Sequence, residues 1–333
     1  MLAPRLPDSR TPLDTEAARA AFSDILDGRT DEEENFRFLS DMAQRDETSI
    51  EIAAAATAMR DRMIRVESAV EAIDVCGTGG DGAHSLNVST AVAVVVAAAG
   101  VPVAKHGNRA ASSKAGGADT LEAIGLDLDR ASARAAGSLE ELGIAFMFAQ
   151  RHHPALARIA AVRKRIARRT VFNLTGPICN PANVTRQLIG VARPDFIPVY
   201  ASAIQMLGTQ STMLVAGDEP LDELSIAGPS SVALIGACST ASIGNRVSAA
   251  DAGLPSHPLD SLRGGDARFN ADALGRMLAG EAGAYRDAVL LNGAAALIVA
   301  GRHDNLADGT AALAETIDSG RARQLLDRWI AFL

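Results

Sequence analysis

The sequence predicts an α/β protein: a small all-helical N-terminal lobe, then a large α/β lobe with a mostly parallel central sheet flanked by helices. Three observations carry that prediction. Residues 14 to about 67 show helix signals and no strand signals. From about residue 71, short apolar runs alternate with helical patterns. Two of these runs end in turns dense in glycine and polar residues, at the position where parallel α/β sheets hold ligands.

In the helical lobe, Asp14 and Thr15 can cap a helix running through Ile25, with Gly28 as its stop. Thr30 and Glu33 are spaced as a capping box before Phe36, Phe38 and Leu39. Ser49 to Met63 reads as a third amphipathic helix, with Ile50, Ile52, Ala53, Ala56 and Met59 on its apolar side. Three short helices cannot bury all these faces alone, so a partner surface, either another lobe or a second subunit, is expected. In the second lobe, Ala72–Val75 and Val101–Ala104 read as strands, separated by a helix from about Val88 to Ala99 that Gly100 ends. A second helix runs through Ile124. Gly143–Phe148, Met213–Ala216, Val232–Ile235 and Ala288–Leu291 supply further buried-strand candidates.

The chain has 333 residues, enough for about two domains. Its formal charge of -8 gives no overall attraction to nucleic acid or to an anionic membrane. Three distant cysteines, Cys76, Cys179 and Cys238, make neither a disulfide framework nor a metal knuckle. No signal peptide or spanning segment is apparent, and a cytoplasmic protein is expected.

The chemistry concentrates in four places. Gly77-Thr78-Gly79-Gly80-Asp81-Gly82 leaves a strand and leads to Asn87-Val88-Ser89-Thr90 at a helix start. Glycines let the backbone approach a ligand, and a helix N-terminus favours a phosphate. The Lys-Ser/Thr ending of a P-loop is absent. After the next strand, Lys105-His106-Gly107-Asn108-Arg109-Ala110-Ala111-Ser112-Ser113 offers a second anion-ready turn. In the basic run 157–169, read as one helix, Arg158, Arg165 and Arg169 share one side and Lys164 and Arg168 another, as a solvated surface would. Arg163 instead projects with Ile159, Val162 and Ile166, and so needs a carboxylate, either structural or from a ligand. Finally, Asp218, Glu219, Asp222 and Glu223 follow a strand and suit a hard cation such as Mg2+, or simply a solvated acidic turn. The adjacent His152 and His153 do not converge as zinc ligands do, and His106 is the better functional histidine.

Together these motifs resemble the anthranilate phosphoribosyltransferase family. Ser112-Ser113, His153-Pro154-Ala155, Val162-Arg163, Phe172-Asn173-Leu174, Gly176-Pro177, Asn180-Pro181, Leu221-Asp222-Glu223, Gly264-Gly265-Asp266-Ala267 and Leu291-Asn292 follow the two glycine-rich turns in the family's order. The resemblance implies transfer of the ribosyl phosphate of phosphoribosyl pyrophosphate (PRPP) to the amino nitrogen of anthranilate, in tryptophan biosynthesis. It also implies a homodimer formed through helical lobes, with Mg2+ at two ions per site. A helical domain over 1–69, completed by helices from about 150–183, would precede an α/β domain over 70–333.

Carried over by resemblance, PRPP contacts fall on Gly77, Gly80, Asp81, Ser85, Asn87, Val88, Ser89 and Thr90. Lys105 through Ser113 (Lys105, His106, Gly107, Asn108, Arg109, Ala110, Ala111, Ser112 and Ser113) and Gly117 complete that set. Anthranilate falls to Gly77, His106, Asn108 and Arg163, and the metal to Ser89, Asp222 and Glu223. No acid or base is assigned, because a free arylamine is already nucleophilic. Ala216, Ser85, Gly117 and Ile178-Cys179 depart from the family's usual residues without removing an expected contact.

Two other readings are weighed against this one. A nucleic-acid-binding relative on the same scaffold would use the Arg158–Arg169 cluster, against the acidic balance of the chain. A pyrimidine nucleoside phosphorylase would need neither Asp222-Glu223 nor Arg163.

Overall fold

A computed structural model describes residues 5–110 and 114–333. The first three helices are α1 (Thr15–Asp27), α2 (Glu32–Gln44) and α3 (Ser49–Arg60). Asp14 caps α1 by accepting from the Ala17 amide, and Gly28 ends it at φ +72°, a left-handed conformation that favours glycine. The expected box at Thr30 and Glu33 is displaced by one residue. Asp31 is the cap and accepts from the Glu34 amide, while the Thr30 hydroxyl donates to Asn35. Any short polar side chain in an acidic run can cap, so spacing alone does not choose between neighbours. Thr48 and Glu51 box the start of α3, which stops at Arg60 rather than Met63.

The partner surface that these helices need comes from their own chain. Ile159, Val162, Phe172, Leu174 and Tyr200 join Phe22, Leu39 and Ile52 in one buried cluster, and Phe22 meets Phe38 and Phe172 edge-on. The basic run is not one helix. It comprises a 3-10 turn (Pro154–Ile159) and a short helix (Ala160–Ile166) that ends at Ala167 with φ +53°. Its arginines are exposed or half-exposed, as a solvated surface predicts, but they are not idle. Arg158 donates to the Asp27 carbonyl, Arg165 to Glu33, Arg168 to the Ala43 carbonyl, and Arg169 to Asp46 and Glu47. These arginines fasten the segment onto α1, α2 and the turn after it.

The sheet has seven strands: β1 (Ile73–Gly77), β2 (Val103–Gly107), β3 (Ile144–Phe148), β4 (Arg186–Gly190), β5 (Ser211–Gly217), β6 (Ser230–Gly236) and β7 (Arg246–Val247). Their order is β3-β2-β1-β4-β5-β6-β7, parallel through β5 and antiparallel beyond it. Ala288–Leu291, expected as a strand, lies inside a helix (Ala284–Val299) packed on α4 (Val88–Ala98). Both helices are apolar on nearly every side and buried. A short apolar run cannot distinguish a buried strand from a buried helix, whereas the full length of the apolar stretch does. β4 escaped the sequence reading because only Leu188 and Ile189 are large apolar residues in it. Among the described residues, no helix is long and apolar enough to cross a membrane.

The chain direction over the sheet reverses between β1 and β4. From β1 the connections step outward to β2 and β3, while β4 to β7 build the other half. Such a switch point opens a crevice at the carboxyl ends of the strands. Gly77 and Gly190 end β1 and β4 as register partners, and the backbone of Asp222 crosses directly over them. A Cβ on Gly77 would strike the Asp222 carboxylate, and one on Gly190 its carbonyl. Two facing glycines thus bring the acidic loop into the crevice.

Candidate active site

A cavity of about 360 Å3 occupies this crevice, floored by strand ends and walled by the segment that returns to the helical lobe. Gly77, Gly80, Asp81, Ser85, Asn87, Ser89 and Thr90 line it from the first turn. Lys105 to Ala110 and Gly117 line it from the second, and Asp222, Glu223 and Arg163 complete the lining. Ala111, Ser112 and Ser113 lie outside the described residues.

The glycine-rich turn depends on backbone freedom: Gly79, Gly80 and Gly82 have φ of +66°, +77° and +76°. The Gly79 amide donates to Asp222 at 2.7 Å and the Ser89 amide to Glu223 at 3.3 Å. Asn87 precedes α4 without capping it. Its carboxamide instead accepts from Thr120 and Asn270, each on a helix, and donates to the Ala115 carbonyl, tying these segments to the turn. Val88 does not face the main cavity. Its side chain is in the apolar core and its amide donates to the Leu86 carbonyl, because the first turn of α4 has already rotated it inward.

Two expected cations behave differently from a direct anion ligand. Lys105 is buried and gives its ammonium to the Val75 carbonyl at 2.8 Å and to the Ser89 hydroxyl at 3.2 Å. It therefore charges the floor beneath Ser89. Burial pulls its pKa down, against the pull of Asp74, Glu223 and Asp222. The Arg109 guanidinium turns outward to Asp119 and Glu122 and lies 5.5 Å from the Phe148 ring centroid. Its two carboxylate partners outcompete the cavity, so Arg109 offers backbone there rather than charge.

The acidic loop also divides. Asp218 pairs with Arg246 at the surface, whereas Asp222 and Glu223 face the cavity. Burial, reinforced by Asp81, raises the Asp222 carboxyl to about 7, and burial with Asp222 raises Glu223 well above the usual range. One oxygen of Glu223, Oε2, is buried without a hydrogen-bond partner. Buried carboxylates in that condition fit a hard divalent cation. Among the described residues, no group of three or more His, Cys, Asp or Glu could hold a metal ion.

Arg163 is half-buried and, among the described residues, its guanidinium has neither hydrogen bond nor ion pair. Its pKa is lowered by burial alone. His106 and His153 also line the cavity, with Met59, Leu156 and Phe172 adding apolar surface. Of these, His153 and Phe172 were visible only within motifs, and Met59 gave no functional signal because it reads as core on α3.

A helical bundle joined to an α/β domain, with an anion cradle beside paired carboxylates, defines a glycosyl transferase. Residues 8–63 match the family described as "Glycosyl transferase family, helical bundle domain", and residues 69–323 match "Glycosyl transferase family, a/b domain". The anthranilate phosphoribosyltransferase of Sphingopyxis alaskensis is 58% identical over 98% of both chains, and that of Novosphingobium aromaticivorans 56% identical over 98% of this chain and 99% of its own. The crystal structure of the Thermus thermophilus anthranilate phosphoribosyltransferase superposes with a TM-score of 0.91 at 38% identity, covering 97% of this chain and 96% of that one. The Saccharomyces cerevisiae enzyme in complex with PRPP and Mg gives a TM-score of 0.87 at 25% identity, covering 96% and 94%. This chain belongs to the anthranilate phosphoribosyltransferases.

Proposed function

We propose that this protein transfers the 5-phosphoribosyl group of PRPP to the amino nitrogen of anthranilate, releasing pyrophosphate, with the named cavity residues in the following roles. The observation that carries the assignment is one cavity lined both by buried carboxyls, one with an unsatisfied oxygen, and by a guanidinium without an ion pair among the described residues. The amides of the Gly77–Gly82 turn and the Ser89–Thr90 helix start would hold phosphate oxygens, with the second turn closing from β2. Asp222 and Glu223, with the Ser89 hydroxyl, would hold Mg2+, whose charge offsets that of the departing pyrophosphate. Arg163 would fork onto the anthranilate carboxylate, while Asn108 and Gly77 orient the amine towards C1′.

The amine lone pair forms the N–C1′ bond on the face opposite pyrophosphate as the C1′–O bond breaks, through an oxocarbenium-like state. Positioning and electrostatics supply most of the acceleration. The family resemblance extends the proposal to two metal ions per site and to a cytoplasmic homodimer joined through a helical domain, residues 1–69 with helices from 150–183. Anthranilate fluorescence tests the reaction. Signal should be lost only when protein, PRPP and Mg2+ are all present, and no loss at enzyme concentrations comparable to substrate would overturn the reading. Sedimentation at micromolar concentration tests the dimer.

A further inference from the structure

We propose that Asn270 is a positioning residue for phosphate binding: with Thr120 it holds the Asn87 carboxamide off the start of α4, and so keeps the Thr90 amide open to a ligand. The inference rests on the transferase reading in naming that ligand as the phosphate groups of PRPP.

A helix cap is missing where the residue type calls for one. Asparagine is a favoured N-cap residue because its side-chain oxygen accepts from an amide of the first helical turn. Asn305 does this for the helix Leu306–Asp318, accepting from the third amide, that of Asp308, at 2.9 Å. Asp14, Asp31, Thr48 and Asp266 likewise take the third amide of the helices they precede. Asn87 holds the same place before α4 and makes no such bond. The other amides of that turn are spent. Val88 donates to the Leu86 carbonyl at 2.7 Å, Ser89 to Glu223 at 3.3 Å, and Ala91 to the Asn87 carbonyl at 3.2 Å. The third amide, that of Thr90, has no acceptor among the described residues. The Thr90 hydroxyl is also buried without a partner, and the residue lines the cavity. Buried donors are rarely left unpaired, so two on one cavity-lining residue mark a place for acceptors from outside the chain.

The Asn87 side chain is held elsewhere, and backbone groups at both ends set its orientation. The Gly265 amide can only donate, so the Asn270 atom it meets at 2.8 Å is Oδ1, and Nδ2 is the atom 2.9 Å from Asn87. The Ala115 carbonyl can only accept, so the Asn87 atom 3.2 Å from it is Nδ2, which leaves Oδ1 to face Asn270. The Thr120 hydroxyl donates to the same Oδ1, so both lone pairs of that oxygen are taken. It cannot cap α4 while these two donors hold it. Both donors are themselves fixed. Thr120 is buried in the helix Gly117–Ala123, and Asn270 in the helix Ala267–Leu278. The turn before Asn270 is laced to the segment before Asn87: the Gly264 amide donates to the His84 carbonyl and the Leu86 amide to the Leu262 carbonyl, both at 2.8 Å. A Cβ on Gly264 would come within 2.8 Å of the Ser85 carbonyl and 3.1 Å of Asn270 Oδ1, so glycine lets the two segments close. The Gly264-Gly265 motif, which the sequence left without a site role, thus aims Asn270 at Asn87.

The test compares wild type with Asn270→Ala and Thr120→Val, each alone and on an Asn87→Ala background, by steady-state kinetics and by calorimetric binding of PRPP with Mg2+. Asn270→Ala should raise the PRPP Kd and KM by about 10-fold, Thr120→Val should raise them less, and the anthranilate KM should stay within about threefold. On the Asn87→Ala background no carboxamide remains to cap α4, so adding Asn270→Ala should change the PRPP Kd by less than about twofold. An unchanged PRPP Kd in either single variant overturns the proposal. So does a cost that persists undiminished without the Asn87 side chain, since a merely structural role in the Gly264–Gly265 turn would act without it. Amide hydrogen exchange at Thr90, measured by NMR without ligand, should slow in Asn270→Ala as Asn87 caps the helix; unchanged or faster exchange also overturns it. Wild-type protein that binds PRPP but leaves anthranilate unchanged would strike the transferase reading alone, and the exchange measurement judges the cap whether or not PRPP binds.

Discussion

Asp222 and Glu223 on one side and Arg163 on the other line one cavity with no ion pair among the described residues, and they are brought there by opposite means. Asp222 and Glu223 are brought in by backbone: two glycines in register, and amides of the turn and of α4 that accommodate the carboxylates but leave Glu223 Oε2 unsatisfied. Arg163 is brought in by packing, on a short helix whose neighbouring arginines are all engaged. The comparison teaches that binding capacity is marked by what a charge lacks. Four arginines of the same run spend their donors on carbonyls and carboxylates of the helical lobe, and the one that does not is the one facing the cavity.

The largest way to break this comparison is at the metal end. Asp222→Ala combined with Glu223→Ala should lower Mg2+-dependent turnover by about 1,000-fold, and unchanged turnover across a Mg2+ titration would remove the metal assignment. Arg163→Ala should raise the anthranilate KM by roughly 10- to 150-fold, the loss of a charge-assisted pair worth about 1.5–3 kcal/mol. Thermal stability should not fall, because no structural partner is abandoned. Gly77→Ala drives a Cβ into the Asp222 carboxylate. It should cost about 1–3 kcal/mol of stability and weaken metal affinity, read by melting with and without Mg2+.

The raised Asp222 carboxyl makes the metal end pH-sensitive in two ways. Mg2+ affinity should weaken as pH falls below about 7, where the carboxyl takes up a proton. Stability of the metal-free protein should run the other way. Between the ordinary value of 3.8 and about 7, the native state holds a proton that the unfolded chain has lost, so stability declines as pH rises through that window. Melting at pH 5 and pH 7.5, with and without Mg2+, separates the two. The smallest effect sharpens the other end. Arg165→Ala removes an exposed pair with Glu33 and a contact with the Phe36 ring. It should change stability by about 1 kcal/mol or less and leave the anthranilate KM within twofold.

Some of this was legible residue by residue. Gly77–Gly82 followed by a helix start announces a phosphate turn because positive φ and free amides are local properties. Arg163 separates from its neighbours by helical periodicity, although the helix is shorter than the run suggested. The outward turn of Arg109, the inward turn of Val88 and the division of the acidic loop were not legible. Each depends on a partner distant in sequence, such as Glu122 for Arg109 or Arg246 for Asp218.

The sequence by itself determined the alternation of strands and helices, the two glycine-rich turns and the family to which they belong. Those follow from periodicity, backbone freedom and motif order, which need no knowledge of what lies across the fold. Tertiary structure alone decided that Ala288–Leu291 is helical, that Gly190 faces Gly77 beneath Asp222, and that His153 stands against His106. Each is a contact between segments separated by tens of residues. The physical reason is that burial, pairing and proton affinity belong to neighbours in space, and only the folded chain says who those neighbours are.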